Sequence, residues 1–271
     1  MKLFAIRDGM AEREKDLAYL IYYENAKKFY IELPDGADPW ETPLLLESFL
    51  AKGETSVNSY WSMVWVQQRI VPPDRQNIAQ ILRDNGLSSY DEFALLMLTA
   101  GRCVQDDYYL VPLDASSLPQ EIVRRLNHRL EEVVPLENNC LLVFFRDGKI
   151  KKVDLNGYFA ERKQFAVLVQ RPEYFARAYV QTGGFGVQWD ENLAVSYATM
   201  SKMGKTIPLT PADFKTFAAT QIINANEAAE LLNCSRQYIN ELVKTGKLHP
   251  LKASGKNTLF WKTEVMQKLW R

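Results

Sequence analysis

Five side chains near the carboxyl end have the types and spacing needed to read a nucleic-acid duplex. Arg236, Gln237, Tyr238, Asn240 and Lys244 fall on the outer side of a short helix whose inner side is Ile239, Leu242 and Val243. Arginine and the amide side chains match base edges with paired hydrogen-bonding groups, and lysine neutralises phosphate. Ser235 stands where a helix begins and can accept from an orphan backbone N–H. Gly246 stands where a left-handed residue closes it. Upstream, Asn224 and Glu227 make a capping-box-like pair for a first helix, with Ala228, Ala229 and Leu232 facing inward. The short link Asn233-Cys234-Ser235 forces the two helices to cross steeply, as in a helix-turn-helix. Downstream, Leu248–Lys252 and Thr258–Trp261 read as two strands around the tight basic loop Ala253–Asn257. Thr263 reads as the cap of a closing helix that runs from Glu264 to Trp270. The layout is a winged helix-turn-helix.

The run E-A-A-x-x-L-x-x-S-x-x-x-I-x-x-L-V-x-x-G-x-L, from Glu227 to Leu248, resembles the small MerR/excisionase-type DNA-binding family. The resemblance covers about a fifth of the chain. It implies that the second helix enters the major groove while the wing lies on the neighbouring backbone. By that resemblance Ser235, Arg236, Gln237, Tyr238 and Asn240 meet DNA, and Lys244, Lys252 and Lys256 meet phosphate. The wing departs from the family in carrying one or two lysines where many members carry several arginines, which implies modest affinity.

Charge supports a division of labour. The chain of 271 residues has 33 basic and 33 acidic side chains. From Gln221 onward eight basic residues face four acidic ones, a surplus of four, so the remainder carries a deficit of four. A basic tail on a mildly acidic body is the signature of a binding module attached to something else. The apolar fraction of 47% supports packed cores. Cys103, Cys140 and Cys234 are scattered, and with His128 and His249 they show no metal-site spacing. Cys140 and Cys234 sit in apolar patterns, as buried thiols do, and a reducing, cytoplasmic compartment is expected. Met1-Lys2-Leu3-Phe4 runs into charges without the apolar core of a leader, and no stretch approaches the roughly 20 apolar residues of a membrane span. Neither a cofactor nor a metal is expected.

The elements ahead of this tail divide into two regions. Residues 1–114 read as an α+β domain. Strands over Leu17–Tyr23 and Lys28–Leu33 flank a turn, helices follow at Pro43–Lys52 and Ser59–Val66, and Trp61 and Trp65 share one helix face. A helix capped by Asp74 runs to Asn85-Gly86, another is capped at Ser88 or Ser89, and a short strand spans Tyr109–Val111. The order P-x-x-R, G-L-x-x-Y-D-E-F-x-L-L, G-R-C-x-x-D-D (residues 72–107) is similar to the N-terminal subdomain of HipA-type toxin kinases, which implies an interaction or toxin–antitoxin context. The kinase body of that family has no counterpart here. Arg69, Arg75, Arg102, Asp106 and Asp107 are the charged residues whose convergence in a pocket would signal enzymatic chemistry.

Residues 115–215 read as a linking helix, Ser117–Glu132, broken by Pro135, and then a small sheet unit. The linking helix places Leu118, Ile122, Leu126 and Leu130 at four-residue steps. Asp147-Gly148 between two apolar runs is a hairpin signal. Gly183-Gly184-x-Gly186 precedes a strand with Trp189, so it reads as a turn and not as a phosphate loop, which needs a following helix. Phe145–Leu155, Phe165 with Leu168, Phe175 with Val180, and Gly184–Trp189 together resemble the bacterial domain-of-unknown-function family numbered twenty-four forty-two. That resemblance implies a small α+β unit with a curled antiparallel sheet and assigns no chemistry.

The expected fold class is therefore α+β and multidomain: small antiparallel-sheet domains at 1–114 and 115–215, then a winged helix-turn-helix at 216–271. The expected function is a sequence-specific, non-enzymatic regulator. It binds double-stranded DNA as a homodimer through the C-terminal module, and residues 1–215 serve dimerisation or a protein partner. The alternative is a protein-interaction component, antitoxin-like or a phage-defence accessory, in which DNA binding is secondary.

Overall fold

The computed structural model describes residues 1–254 and 257–268. It contains several small antiparallel sheets mixed with short helices, an α+β protein. The chain forms two compact units: Met1–Asp147 with Lys152–Gly204, and Gly148–Lys151 with Lys205–Arg271. No helix among the described residues is long and apolar enough to cross a membrane.

The first unit opens with β1 (Lys2–Asp8), β2 (Ala18–Tyr23) and β3 (Lys28–Glu32). After α1 (Leu44–Leu50) come the two-residue β4 (Ser56–Val57) and α2 (Ser59–Gln67). Next are α3 (Ile78–Asp84), α4 (Glu92–Leu98) and β5 (Tyr108–Leu113). The five strands form an antiparallel sheet in the order β4-β3-β2-β1-β5. Alternation along the strands divides their side chains between two cores. Phe4, Ile6, Leu20, Phe29 and Ile31 pack with Leu46, Trp65 and Leu96 from the helices on one face. Leu3, Ala5, Tyr19, Ile21 and Tyr30 pack with Leu118, Ile122 and Phe185 on the other. Strand β1 has no turn signal before it and carries charges just after its apolar run, so the sequence pattern passes over it. Its pairing on both sides with β2 and β5 makes it a central strand.

Two helix starts differ from expectation. Asn77, not Asp74, precedes α3, and Asp91, not Ser88 or Ser89, caps α4 by accepting from the Ala94 N–H at 2.9 Å. A carboxylate at the N-cap position satisfies the orphan donors better than a serine one turn earlier.

The linking helix is shorter than its four-residue spacing suggests. Helix α5 covers only Gln120–Asn127, and Leu130–Leu136 is strand β6. Val133 and Val134 pair with Val143 and Leu142 of β7 (Cys140–Phe145), and Pro135 stands opposite Leu141. The β-branched pair and the proline favour the extended chain once a partner strand is present. Strand β8 (Ile150–Asp154) lies on the other side of β7. Three short helices follow: α6 (Asn156–Ala160), α7 (Ala166–Gln170) and α8 (Pro172–Phe175). Strands β9 (Tyr179–Val180), β10 (Gly186–Gln188) and β11 (Ala194–Ser196) make a three-stranded sheet, and α9 (Tyr197–Lys202) completes the unit. Phe159, Phe165, Phe175 and Trp189 form the aromatic centre of its core.

Between β9 and β10 the chain turns through Thr182-Gly183-Gly184, where the strand-connecting reading holds and no long helix follows. Gly184 has φ +75°, and a Cβ there would lie 2.1 Å from the Leu130 carbonyl oxygen. Gly184→Ala is therefore expected to cost roughly 2–3 kcal/mol, from a strained backbone added to a steric clash. A denaturant midpoint within error of the parent protein would contradict this.

The second unit contains β12 (Lys205–Ile207), α10 (Pro211–Gln221), β13 (Ile222–Asn224), α11 (Ala225–Leu231) and α12 (Arg236–Lys244). It ends with β14 (Pro250–Ser254), β15 (Asn257–Trp261) and α13 (Lys262–Gln267). Strands β13, β15 and β14 form a sheet in that order. Its core joins Ile223, Ala228, Ala229, Ile239, Leu242, Leu248, Phe260 and Val265. Helix α10 has no buried residue, although Phe217 meets Trp261 with ring centroids 5.4 Å apart. The closing helix begins after Trp261 instead of at Thr263, and the Trp270 end expected for it lies outside the described residues.

Candidate nucleic-acid interface

Helix α11 starts as its sequence dictates. The Asn224 side chain accepts from the Asn226 and Glu227 N–H groups, and Glu227 accepts from the Asn224 N–H at 2.6 Å. Asn233, at φ +48°, turns the chain, and Ser235 Oγ accepts from the Tyr238 N–H at 3.2 Å to start α12. Small Ala228 and Ala229 are buried against Ile239 and Leu242, which fixes one face of α12 inward. Gly246, at φ +67°, ends it.

The opposite face of α12 is open to solvent. Arg236, Gln237, Tyr238, Asn240 and Lys244 are all exposed, as is Ser235 at the helix start. At 100° per residue, Arg236, Asn240 and Lys244 make one row of four-residue steps. Gln237 and Glu241 make the adjoining row. Lys244 and Gln237 lie opposite the buried Ile239–Leu242 side, and Tyr238 lies at the far margin of the exposed arc. Lys252 is exposed on β14, while Lys256 lies outside the described residues. The face thus combines a guanidinium, two amides, a phenol and an ammonium on a framework fixed by caps and packing.

Glu241 belongs to this face as well and is exposed. As an acceptor it falls outside the donor pattern of the other five side chains. A carboxylate central on such a face repels phosphate, so if a duplex lies along it, Glu241→Gln is expected to raise affinity for any duplex about three- to tenfold at low salt, with sequence preference unchanged. Equal affinities for the two proteins in fluorescence anisotropy would contradict a duplex lying along this face.

Other charged residues are dispersed in the first unit. The Arg69 guanidinium is buried, lies 3.7 Å from the Trp65 ring centroid, and is paired with Asp106. Burial lowers its pKa in spite of that carboxylate. Arg75 donates to Asn77, and Arg102 lies over the Tyr109 ring. Of the five residues singled out for enzymatic chemistry, Arg69 and Asp106 form an ion pair, while Arg75 and Arg102 make the separate contacts just given. Trp65 is buried and Trp61 is 39% exposed, so the helix face they share is only half core. Cys103, Cys140 and Cys234 are free thiols of intermediate burial, less enclosed than the apolar patterns around Cys140 and Cys234 suggest.

One constellation escaped sequence reading because its members lie 19 and 73 residues apart. His128 Nδ1 is 2.6 Å from Asp147 Oδ2, and its Nε2 is 2.7 Å from Ser201 Oγ. The order carboxylate–imidazole–hydroxyl is that of an activated nucleophile. Ser201, however, sits in the last turn of α9, where a helix presents carbonyl oxygens and the negative end of its dipole. That end disfavours a developing oxyanion. Among the described residues, no group of three or more histidine, cysteine, aspartate or glutamate side chains is placed to hold a metal.

Residues 130–202 match the family model described as "Protein of unknown function (DUF2442)", which agrees with the resemblance read from Phe145 to Trp189. No curated protein matches the chain. One solved structure, titled "Crystal Structure of Putative DNA Binding Protein NE0471 from Nitrosomonas europaea ATCC 19718", is 20% identical. The match covers 45% of this chain and 79% of that one, with a TM-score of 0.24. What these comparisons assign is thus the stretch from β6 to α9, which is similar to a family whose function is itself unknown.

Proposed function

We propose that the second unit is a winged helix-turn-helix of MerR/excisionase type and that the chain is a sequence-specific regulator binding double-stranded DNA. The observation that carries this reading is the solvent-exposed row Arg236-Asn240-Lys244 beside Gln237, on a helix anchored by Ser235 and two buried alanines. Helix α12 would enter the major groove, and the β14–β15 hairpin would follow the phosphates. A module of about 50 residues makes few contacts, so a homodimer on a two-part site is the operating form. The surplus of basic residues after Gln221 supplies the electrostatic attraction. The Asp147–His128–Ser201 chain is read as a structural staple, and the protein as non-catalytic.

With about three phosphates neutralised per protomer, log K is expected to fall against log salt with a slope of about −5 for the dimer. Lys252→Ala should weaken specific and random duplexes alike and reduce that slope by about one per protomer. Anisotropy titrations across salt concentrations measure both. A slope near zero, or a Lys252→Ala effect confined to one sequence, would contradict the placement of the hairpin on the backbone.

A second reading has its own support. Trp40 is 96% exposed, Leu44 84% and Tyr60 68%, more large apolar surface than a regulator body needs for itself. A protein partner of residues 1–215, in an antitoxin-like or phage-defence setting, would cover such surface and leave DNA binding secondary. Recovery of a stoichiometric partner by residues 1–215, with no duplex sequence enriched by the full chain, would favour it.

A further inference from the structure

The first unit contains a cleft of about 1330 Å³ whose use is unaccounted for. Residues on its walls come from the β3–β4 region of the five-stranded sheet, from α5, and from the β9–β11 sheet with α9. Its charge is unbalanced. Lys28, Lys52, Arg125 and Lys202 line it against only two carboxylates, Glu54 and Glu191.

The imbalance continues below the surface. Arg125, on the wall, and Arg129, fully buried, both pair with the fully buried carboxylate of Glu32. Asp35 reaches Arg125 only at 3.7 Å and is 65% exposed, so it is a weak, screened partner. Two cations, one fully buried and one 16% exposed, thus share one buried anion. Arg129 Nε and Nη1 and Arg125 Nε are buried without a hydrogen-bond partner among the described residues. The Arg129 guanidinium instead lies 4.8 Å from the Phe185 ring centroid, 5.6 Å from that of Tyr197 and 5.8 Å from that of Tyr30. Those three rings line the cleft, so the cation sits one ring layer beneath it. An excess buried charge is costly unless an anion approaches, and through an aromatic layer its field is weakly screened.

The walls also offer flat apolar surfaces. Tyr60 and Tyr179 are 68% and 49% exposed, and both line the cleft, as do Gln181 and Gln188, which are hydrogen-bonded to each other at 3.2 Å. Exposed tyrosines beside lysines stack planar rings while the cations hold an attached anion. The volume exceeds the usual 300–1000 Å³ of small-molecule pockets, which leaves room for a ligand larger than a lone phosphate or carboxylate.

We propose that this cleft binds a planar aromatic anion of the nucleoside-phosphate class. The phosphates would lie toward Arg125, Lys52 and Lys202, and the base against the exposed tyrosines. This does not depend on the DNA-binding reading, because every residue invoked belongs to the first unit.

The test is equilibrium titration of the full-length chain, without DNA, using ATP, GTP, CTP and UTP, with adenosine and inorganic phosphate as separate probes. At least one nucleoside triphosphate is expected to bind at least ~10-fold more tightly than either half-probe, because base stacking and charge both contribute. Lys52→Glu/Lys202→Glu should weaken that binding about tenfold or more, and Tyr179→Ala should weaken it several-fold. All three substituted residues are solvent-facing, so unchanged thermal melting will show that the fold survives. Lys252→Ala, in the second unit, should leave nucleotide affinity unchanged. Absence of binding by all four nucleotides up to about 1 mM, where the binding free energy is only about 4 kcal/mol, overturns the proposal. So does equal affinity for inorganic phosphate, or affinity indifferent to Lys52, Lys202 and Tyr179.

Discussion

Glu32→Gln should lower the stability of the first unit by roughly 3–5 kcal/mol, because it strips the shared anion from one fully buried and one partly buried guanidinium group. Glu32 is fully buried, accepts from Ser56 Oγ at 2.8 and 2.9 Å and from Arg129, and is ion-paired with Arg125. Its position joins three elements, since β3 supplies the carboxylate, α5 supplies Arg125, and Arg129 immediately precedes β6. Glutamine preserves the shape but not the charge. Breaking one partner of a buried ion cluster is far costlier than replacing the cluster as a whole, so Glu32→Gln combined with Arg129→Met should recover part of the loss. Urea denaturation followed by tryptophan fluorescence measures both variants. A loss below about 1 kcal/mol, typical of an exposed pair, would mean that the two cations are neutralised in some other way.

The second large effect concerns recognition. Arg236→Ala with Gln237→Ala should reduce the ratio of specific to random DNA binding by 10²- to 10³-fold, since each good base contact contributes about one to two powers of ten. Binding to random duplex should fall much less, because Lys244 and Lys252 remain. Neither side chain supports the core formed by Ile239 and Leu242, so the melting temperature should stay near that of the parent protein. Competition titrations with specific and random duplexes measure the ratio. A fall that is uniform across sequences would assign both residues to phosphate instead of bases.

What was readable in the sequence was local. The Asn224–Glu227 box, the Ser235 cap and Gly246 each declare a chain boundary through their own backbone chemistry, and the structure uses all three. The hairpin at Asp147-Gly148 and the turn at Gly183-Gly184 were legible for the same reason. The central strand β1 and the strand β6 were not. Their state depends on partners more than a hundred residues away for β1–β5 pairing, and on the competition between an apolar helical spacing and a β-branched pair for β6. The same limit hid the Glu32–Arg125–Arg129 cluster, whose carboxylate lies far in sequence from both arginines, and the His128 chain, whose three members are all remote from one another. On the exposed face of α12, the five donors were identifiable from helical spacing, whereas Glu241 became relevant only because α12 turns it outward with Gln237. Lys256 remains outside the described residues.

Selection of duplexes from a random pool by the purified full-length chain is the most direct measurement. Enrichment of a single two-part sequence, with half-sites spaced by about one helical turn and lost on Arg236→Ala/Gln237→Ala, is the expected result. A pool that stays random while the protein remains folded would contradict sequence-specific reading by α12.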